Sequence, residues 1–223
     1  MSDNTSSVLI IDDHPIVREG LAELINREPD LRVCGQAASG GEALELTEKL
    51  QPDLVLVDIS LDDMNGLQLI KNLKARRRQL RVLVLSMHDE SLYAERALRA
   101  GAHGYVMKRE APTHVIAAIR KVLAGDVFLS EALSARFMRK LTAGEDFAEE
   151  SPVSRLSDRE LEVYSHIGQG LKTRQIAAKL NLSVKTIETY REHIKEKLGL
   201  GDATELVQSA IKWVHGEHAG HGT

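Results

Sequence analysis

The chain has 223 residues, of which 43% are hydrophobic, and its 29 Lys and Arg against 33 Asp and Glu give a formal net charge of −4. This length suits two modest domains or one large one, and the charge excludes a protein that is polycationic throughout. The single cysteine, Cys34, cannot form an internal disulfide, and no apolar run approaches the roughly 18 residues of a membrane span. We therefore expect a soluble, cytoplasmic protein.

Up to residue 127, strand-like segments alternate with helix-like segments. Short apolar runs such as VLII (8–11) and LVLV (54–57) are each followed by an amphipathic helical pattern. Pro15 and Ser39 stand at the starts of the first two helical patterns, where such residues favour a helix N-terminus. Five strand–helix pairs of this kind predict an α/β fold with a doubly wound, five-stranded parallel sheet.

The alternation ends after residue 127. A helical pattern over 130–141 leads into the acidic stretch 142–154, which contains Pro152, so we expect 128–153 to be a linker helix and an acidic linker. Four helical segments without any strand pattern follow and predict an all-α domain over 154–217. Seven of the ten Lys and Arg after residue 154 fall between Lys172 and Lys197.

Polar side chains stand where the predicted strands end. They are Asp12 and Asp13 after the first strand, Asp58 after the third, Ser86 after the fourth and Lys108 after the fifth. Because the carboxyl ends of parallel strands share one edge of the sheet, we expect these side chains to lie together. Any one of them could be an ordinary solvated loop residue, but the set indicates a site.

Four motifs around these residues, DDH, VDISLDDMNG, LSMHDE and GYVMK, resemble in order and spacing the receiver domain of two-component response regulators over residues 6–127. The resemblance implies a flavodoxin-like fold in which Asp58 accepts a phosphoryl group while Lys108 and Ser86 bind phosphoryl oxygens. It also implies Tyr105 as a switch residue. Crowded carboxylates need a cation, and the implied Mg²⁺ ligands are Asp13, Asp12 through water, Asp58 and the main-chain carbonyl of Ser60.

The loop after Asp58 departs from the family pattern. The family usually has proline four residues after the phosphorylated Asp, whereas this chain has Asp62 followed by Asp63, which we expect to loosen the loop. Ser60 and His88 occupy positions that border the path of attacking water in receivers. We expect these two residues to set the lifetime of the phosphorylated state.

An enzyme of another class also uses an Asp at the end of a parallel strand. Haloacid-dehalogenase-type phosphatases require a second Asp two residues further on as the general acid, and that position is Ser60 here. The chain also lacks a Gly-x-Gly-x-x-Gly or Walker-type glycine loop. We therefore expect a protein that takes part in its own phosphorylation and is not otherwise an enzyme.

The helical region, from LSDREL through KEKLGL, resembles the LuxR-type helix-turn-helix domain over about residues 154–217. Two helical segments, TRQIAAKL and VKTIETYREHIKEKL, are joined by the tight NLS sequence, in which Ser183 can cap the second helix. The spacing of its apolar residues predicts a core-facing side made of Ile187, Tyr190, Ile194 and Leu198.

The opposite side of that second helix is the predicted recognition surface for the DNA major groove. It comprises Lys185, Glu188, Thr189, Glu192 and Lys195. We expect Glu188, Thr189 and Glu192 to contact bases. The candidates for phosphate contacts are Lys172, Thr173, Lys185, Thr186 and Arg191. A solvated charged face would be the alternative for this helix taken alone.

The last helical segment carries an apolar stripe of Val207, Ala210, Ile211 and Val214, with Trp213 beside it. The stripe fits either the domain core or a dimer seam. The combined resemblances imply a phosphorylation-controlled transcription factor that receives phosphate from a sensor histidine kinase. We expect it to bind double-stranded DNA, and to be a homodimer when phosphorylated or bound to DNA.

Overall fold

The computed structural model of the protein describes residues 5–87, 90–143 and 152–219. The chain divides into two compact units, residues 1–139 and 140–223. In the described part of the chain, no helix combines the length and the apolar character that crossing a membrane requires.

The first unit contains a five-stranded sheet in the order β2-β1-β3-β4-β5, and all four strand pairings are parallel. Its strands are β1 (Ser6–Ile11), β2 (Leu31–Ala37), β3 (Leu54–Asp58), β4 (Arg81–Ser86) and β5 (Gly104–Met107). The alternating helices are α1 (Pro15–Asn26), α2 (Gly40–Leu50), α3 (Gly66–Arg76), α4 (Glu90–Ala100) and α5 (Ala111–Leu123). The predicted doubly wound parallel sheet is confirmed.

The strand register determines which residues meet at the carboxyl edge of the sheet. β1 and β3 are neighbours, and Ile11 pairs with Val57, so Asp12 and Asp58 follow at the same level. Every residue of β3 is buried, as expected for a central strand covered by helices on both faces. On the other side, Ser86 of β4 pairs with Met107 of β5, and Lys108 comes next along the chain.

Packing against the sheet continues beyond residue 127, where the linker was predicted to begin. The main-chain amide of Phe128 donates to His103 O at 3.0 Å, and Tyr105 N donates to Phe128 O at 2.9 Å. These bonds satisfy polar groups on the outer edge of β5, which would otherwise be an open strand edge. Helix α6 (Glu131–Ala143) follows, and residues 144–151 of the predicted acidic linker lie outside the described residues.

The second unit contains the four predicted helices. They are α7 (Asp158–Gly168), α8 (Thr173–Lys179), α9 (Val184–Leu198) and α10 (Ala203–Ala219). As predicted, Ser183 caps α9 by accepting a hydrogen bond from Thr186 N at 3.0 Å. The same helix ends at Gly199, whose φ of 66° is the left-handed conformation that glycine adopts without strain.

The core of the second unit agrees in part with the predicted pattern. On α9, Ile187 and Ile194 are fully buried, whereas Tyr190 and Leu198 are half-buried. Helices α7 and α10 are in close contact, because a Cβ at Gly168 would lie 2.4 Å from both Ala210 O and Val214 Cγ2.

The Trp213 ring packs against a neighbour within this unit. It lies on Tyr164, with 5.3 Å between the ring centroids, and the Tyr164 hydroxyl is 2.8 Å from Ser209 Oγ. On the predicted stripe of α10, Ala210 is buried and Ile211 is exposed, and the buried Leu206 was not part of the prediction.

Candidate metal centre and nucleic-acid interface

Asp58 stands at the carboxyl end of β3 and is only 2% exposed. Its Oδ2 accepts a hydrogen bond from Lys108 Nζ at 2.7 Å, and its Oδ1 accepts one from Ser60 N at 3.2 Å. Lys108 Nζ also lies 2.6 Å from Asp12 Oδ2. The ends of β1, β3 and β5 therefore bring two buried carboxylates and one ammonium into direct contact.

Burial and charge act against each other at this contact. Burial raises the pKa of the Asp58 carboxyl, and the nearby Asp12 carboxylate raises it further. The Lys108 ammonium lowers this pKa but offsets the increase only in part. Burial alone would lower the pKa of Lys108, but attraction to Asp58 and Asp12 outweighs it and the pKa is raised. Lys108 therefore keeps its proton. Its single positive charge is shared between the Asp12 and Asp58 carboxylates.

The same edge of the sheet holds four side chains that could bind a metal ion. The ligand atoms of Asp12, Asp13, His14 and Asp58 all lie within 4.8 Å of one another. Among the residues that the structure describes, Asp12 Oδ2 and Asp13 Oδ1 are buried and accept no hydrogen bond of good geometry. Three crowded carboxylates, two of which have a buried oxygen that accepts no hydrogen bond, fit a hard divalent cation such as Mg²⁺, which prefers oxygen ligands.

His14 was not predicted as a site residue, although it completes the DDH motif. Its Nδ1 lies 2.5 Å from Asp13 Oδ1 and 3.3 Å from Asp12 Oδ1, and its main-chain amide donates to Asp12 Oδ1 at 2.9 Å. The imidazole is mostly exposed, so it lies on the solvent side of Asp13. Its position immediately after the acidic pair was the only available sequence signal.

Ser86 and Tyr105 lie on β4 and β5, the two strands on one side of β3. Ser86 ends β4 and has no exposed surface, and Tyr105 of β5 is 1% exposed, so the residue predicted to bind a phosphoryl oxygen and the predicted switch residue are both inside the domain. Tyr105 pairs with Val84 in the strand register, two residues before Ser86. His88, the predicted partner of Ser60 in controlling hydrolysis, lies outside the described residues.

The loop between β3 and α3 turns back sharply on Asp58. A Cβ at Gly66 would lie 2.4 Å from Asp58 O, so only glycine fits there without displacing the main chain. Gly66 N donates to Ile59 O at 2.9 Å, and Ser60 forms an isolated β-bridge with Asn65. These contacts restrain the loop. We had expected this loop to be looser, because Asp62 stands where the family usually has proline.

The predicted base-reading residues lie on the solvent side of α9. Lys185, Glu188, Thr189 and Glu192 are exposed, whereas Lys195 is half-buried. Lys195 Nζ pairs with Glu192 Oε2 at 2.8 Å, and Thr189 Oγ1 donates to Lys185 O at 3.1 Å. The side chains of Thr189, Glu192 and Lys195 therefore already have partners within the helix.

Four of the five predicted phosphate-contact residues lie at the N-terminal ends of α8 and α9. Lys172 is the exposed residue before α8 and Thr173 is its first residue, whereas Arg191 lies half-buried in the middle of α9. Thr186 Oγ1 is 2.7 Å from Ser183 Oγ. A shallow depression on α9 is lined by Ser183, Lys185, Thr186, Thr189 and Tyr190. Helix N-termini and hydroxyl groups suit phosphate oxygens.

Two charged residues of α7 fix the helices around this surface. Glu160 is 3% exposed, accepts a hydrogen bond from Ser157 N at 2.7 Å and pairs with Lys197 Nζ of α9 at 2.6 Å. Burial opposes the charged form of Glu160, but these bonds outweigh it and lower its pKa. Arg159 Nη2 donates to Leu180 O at the end of α8, at 3.0 Å.

Family comparisons agree with both halves of the structure. Residues 8–120 match the family described as "Response regulator receiver domain", and residues 154–210 match "Bacterial regulatory proteins, luxR family". The chain is similar to the nitrate/nitrite response regulator protein NarL of Escherichia coli (strain K12), at 34% identity over 95% of this chain and 96% of that protein. It is also similar to the transcriptional regulatory protein UhpA of the same strain, at 37% identity over 91% of this chain and 96% of UhpA.

Solved structures show the same relationship. RcsB from Salmonella enterica serovar Typhimurium, bound to promoter rprA in the presence of phosphomimetic BeF3−, matches with a TM-score of 0.65 at 29% identity, over 92% of this chain and 98% of that chain. Ser60 stands where a phosphatase would need its acid, and no comparison favours that alternative. The chain belongs to the response regulators that join a receiver domain to a LuxR-type DNA-binding domain.

Proposed function

We propose that a sensor histidine kinase switches this protein by transferring a phosphoryl group to Asp58, and that the phosphorylated form binds double-stranded DNA as a homodimer. The observation that carries the proposal is the buried contact of Asp58 Oδ2 with Lys108 Nζ at 2.7 Å, beside the buried carboxylate oxygens of Asp12 and Asp13. Such a cluster is costly to bury unless it serves a charged ligand.

In the proposed reaction, an Asp58 oxygen forms a bond to the phosphorus of a phosphohistidine while the phosphorus–nitrogen bond breaks. The bonding electron pair leaves with the donor imidazole, and the product is an acyl phosphate on Asp58. The Lys108 ammonium, which already contacts Asp58, pairs with phosphoryl oxygens, and the Ser86 hydroxyl donates to one of them. Tyr105 of the adjacent strand responds to the shift of Ser86.

The divalent cation of this proposal is Mg²⁺. Asp13, Asp58 and the main-chain carbonyl of Ser60 would hold it, with Asp12 acting through water. When bound, it neutralises charge on the phosphoryl oxygens and so lowers their repulsion from the acidic cluster. Apart from its own phosphorylation and dephosphorylation, we assign the protein no enzymatic activity. We place it in the cytoplasm, where DNA and kinase domains are accessible.

For the output domain, we propose that α9 enters the major groove with Glu188, Thr189 and Glu192 towards the bases. Lys172, Thr173, Lys185, Thr186 and Arg191 would contact phosphates, with Lys195 contributing charge beside Glu192. One small module makes few phosphate contacts, so tight binding requires two copies. This surface has the exposure and the helix N-termini that such contacts need.

The experiment that tests the phosphoryl acceptor is intact-mass spectrometry after incubation with Mg²⁺ and acetyl phosphate. The wild-type protein should gain one phosphate, and Asp58→Asn should gain none. Asp62→Asn is the matched control, because Asp62 is an exposed carboxylate in the same loop. Stoichiometric phosphorylation of Asp58→Asn under the same conditions would refute the assignment.

A further inference from the structure

The Asp63 carboxylate joins the loop after Asp58 to the beginning of α2. Its Oδ1 accepts a hydrogen bond from Gly40 N at 2.8 Å, and its Oδ2 accepts one from Gly41 N at 3.1 Å. Gly40 and Gly41 are the first two residues of α2. Asp63 therefore binds a helix that is 22 residues away in the chain.

The main-chain amides of Gly40 and Gly41 lie in the first turn of α2, where no acceptor within the helix is available to them. The first N–H groups of a helix have no acceptor within the helix, and a capping side chain satisfies only part of them. Ser39 caps α2 through Glu42 N at 3.2 Å, while the Glu42 side chain turns back to Ala38 N at 2.8 Å. Asp63 supplies the remaining acceptors from another loop, and its negative charge suits the positive end of the helix.

The Met64 side chain packs closely against Gly40 beside this attachment. A Cβ added at Gly40 would lie 2.5 Å from both Cγ and Sδ of Met64, the residue next to Asp63. Gly40 is buried and Met64 is half-buried, so Met64 covers the space where a larger residue would stand. The tip of the loop therefore has both a polar and an apolar contact with α2.

The other end of the same loop carries the phosphoryl-acceptor site. The Ser60–Asn65 bridge and the bond from Gly66 N to Ile59 O close the base of the loop. Ser60 N in turn donates to Asp58 Oδ1 at 3.2 Å. A short and continuous set of contacts thus runs from α2 through Asp63 and the loop to the Asp58 carboxylate.

We infer that Asp63 is a positioning residue that holds the Asp58–Ser60 segment in the conformation that binds the divalent cation. The inference rests on the proposed function of Asp58. Asp63 itself touches neither the Asp58 carboxylate nor the acidic pair in the contacts described, and it acts through the loop. The neighbouring Asp62 is exposed and carries the same charge. A comparison of the two residues therefore distinguishes the effect of the hydrogen bonds to α2 from the effect of a negative charge in the loop.

The test compares Asp63→Ala with Asp62→Ala in the full chain, because each variant removes one carboxylate from the same loop. Isothermal titration with Mg²⁺ should give a dissociation constant for Asp63→Ala about fivefold higher than for Asp62→Ala, as expected when a helix-capping interaction no longer supports the site. Acetyl phosphate should phosphorylate both variants at similar maximal rates once Mg²⁺ is saturating. Asp63→Asn keeps one acceptor oxygen without the charge and should fall between them.

Equal Mg²⁺ dissociation constants for Asp63→Ala and Asp62→Ala would overturn the inference, since Asp63 would then act as a charge alone. An Asp63→Asn variant as weak as Asp63→Ala would overturn it as well. If the wild-type protein takes up phosphate on Asp58 while the alanine variants are equal, only the role of Asp63 fails. If the wild-type protein binds no Mg²⁺ and gains no phosphate, the proposed function fails together with it.

Discussion

Lys108 Nζ lies 2.7 Å from Asp58 Oδ2 and 2.6 Å from Asp12 Oδ2, so one ammonium group is shared between the proposed phosphoryl acceptor and a proposed metal ligand. The side chain of Lys108 is 9% exposed, and solvent therefore screens this contact only weakly. A cation at the site would compete with Lys108 for the carboxylates. A phosphoryl group would instead give Lys108 a new partner.

The first prediction is that Lys108→Met changes metal binding and phosphorylation in opposite directions. Without the ammonium, the Asp12 and Asp58 carboxylates lose a competing cation. Mg²⁺ should therefore bind more tightly than in the wild-type protein. Phosphorylation should slow by roughly a hundredfold, because a charge that stabilises the phosphoryl oxygens is gone. Mg²⁺ titration and phosphorylation rates with acetyl phosphate measure the two effects, and a parallel fall in both would contradict this role.

The second prediction concerns the transmission of the signal through Ser86. Ser86→Ala should accept phosphate and yet bind DNA like the unphosphorylated protein, because no hydroxyl remains to follow the phosphoryl group. Ser86→Thr keeps the hydroxyl and should retain a response. Phosphate content by mass spectrometry and DNA affinity by fluorescence anisotropy test both variants. Normal activation of Ser86→Ala would eliminate Ser86 as the coupling residue.

The edge of the sheet was predictable from sequence because it depends on local patterns. Apolar runs identify buried strands, and parallel strands bring their carboxyl ends together, so the proximity of Asp12, Asp58 and Lys108 followed from where three strands stop. The fold of the second unit was predictable for a similar reason, since turn residues such as Ser183 interrupt a helical period.

Contacts that depend on side-chain direction or on distant segments were not predictable. The attachment of Asp63 to Gly40 and Gly41 joins a loop to the first turn of α2, and nothing in the local pattern indicates that it exists. Lys195 follows the spacing of an outward residue, but its long stem lies along the helix and its ammonium reaches Glu192. The Asp63 contact requires the tertiary structure, whereas the pairing of Lys195 with Glu192 depends on side-chain conformations within α9.

The third prediction tests the recognition helix. Glu188→Gln and Glu192→Gln should each relax the preference for one half-site position by roughly 1–3 kcal/mol, provided that a carboxylate accepts from cytosine in the major groove. Glu192 must share its carboxylate with Lys195, so we expect the larger effect at Glu188. Binding-site selection with purified protein measures the preference. Uniformly tighter binding with an unchanged selected sequence would mean that these glutamates only repel DNA.

The fourth prediction concerns acid stability and His103. Burial, together with the nearby charges of Lys74 and Arg81, lowers the pKa of His103 from 6.5 to about 4. Between these values the unfolded chain binds a proton that the folded protein does not, so this histidine makes the protein less stable as the pH falls from 6.5 towards about 4.

His103→Asn should weaken the loss of stability over that pH range. Asparagine retains an acceptor for Val82 N, which donates to His103 Nδ1 at 3.2 Å, and it does not titrate. The control is His114→Asn, which alters an exposed histidine of α5. Calorimetric melting temperatures of the full chain across this range provide the comparison. An identical pH dependence in wild type and His103→Asn would exclude His103 as a source of acid sensitivity.

The central claim is that phosphorylation of Asp58 controls DNA binding. The most direct measurement is the affinity of the full chain for a selected double-stranded site, with and without Mg²⁺ and acetyl phosphate, in wild type and in Asp58→Asn. We expect phosphorylation to tighten binding by the wild-type protein by about tenfold, a coupling typical of two-site switches, and to leave Asp58→Asn unchanged. Equal affinity of phosphorylated and unphosphorylated wild-type protein, or an undiminished response of Asp58→Asn, would contradict the claim.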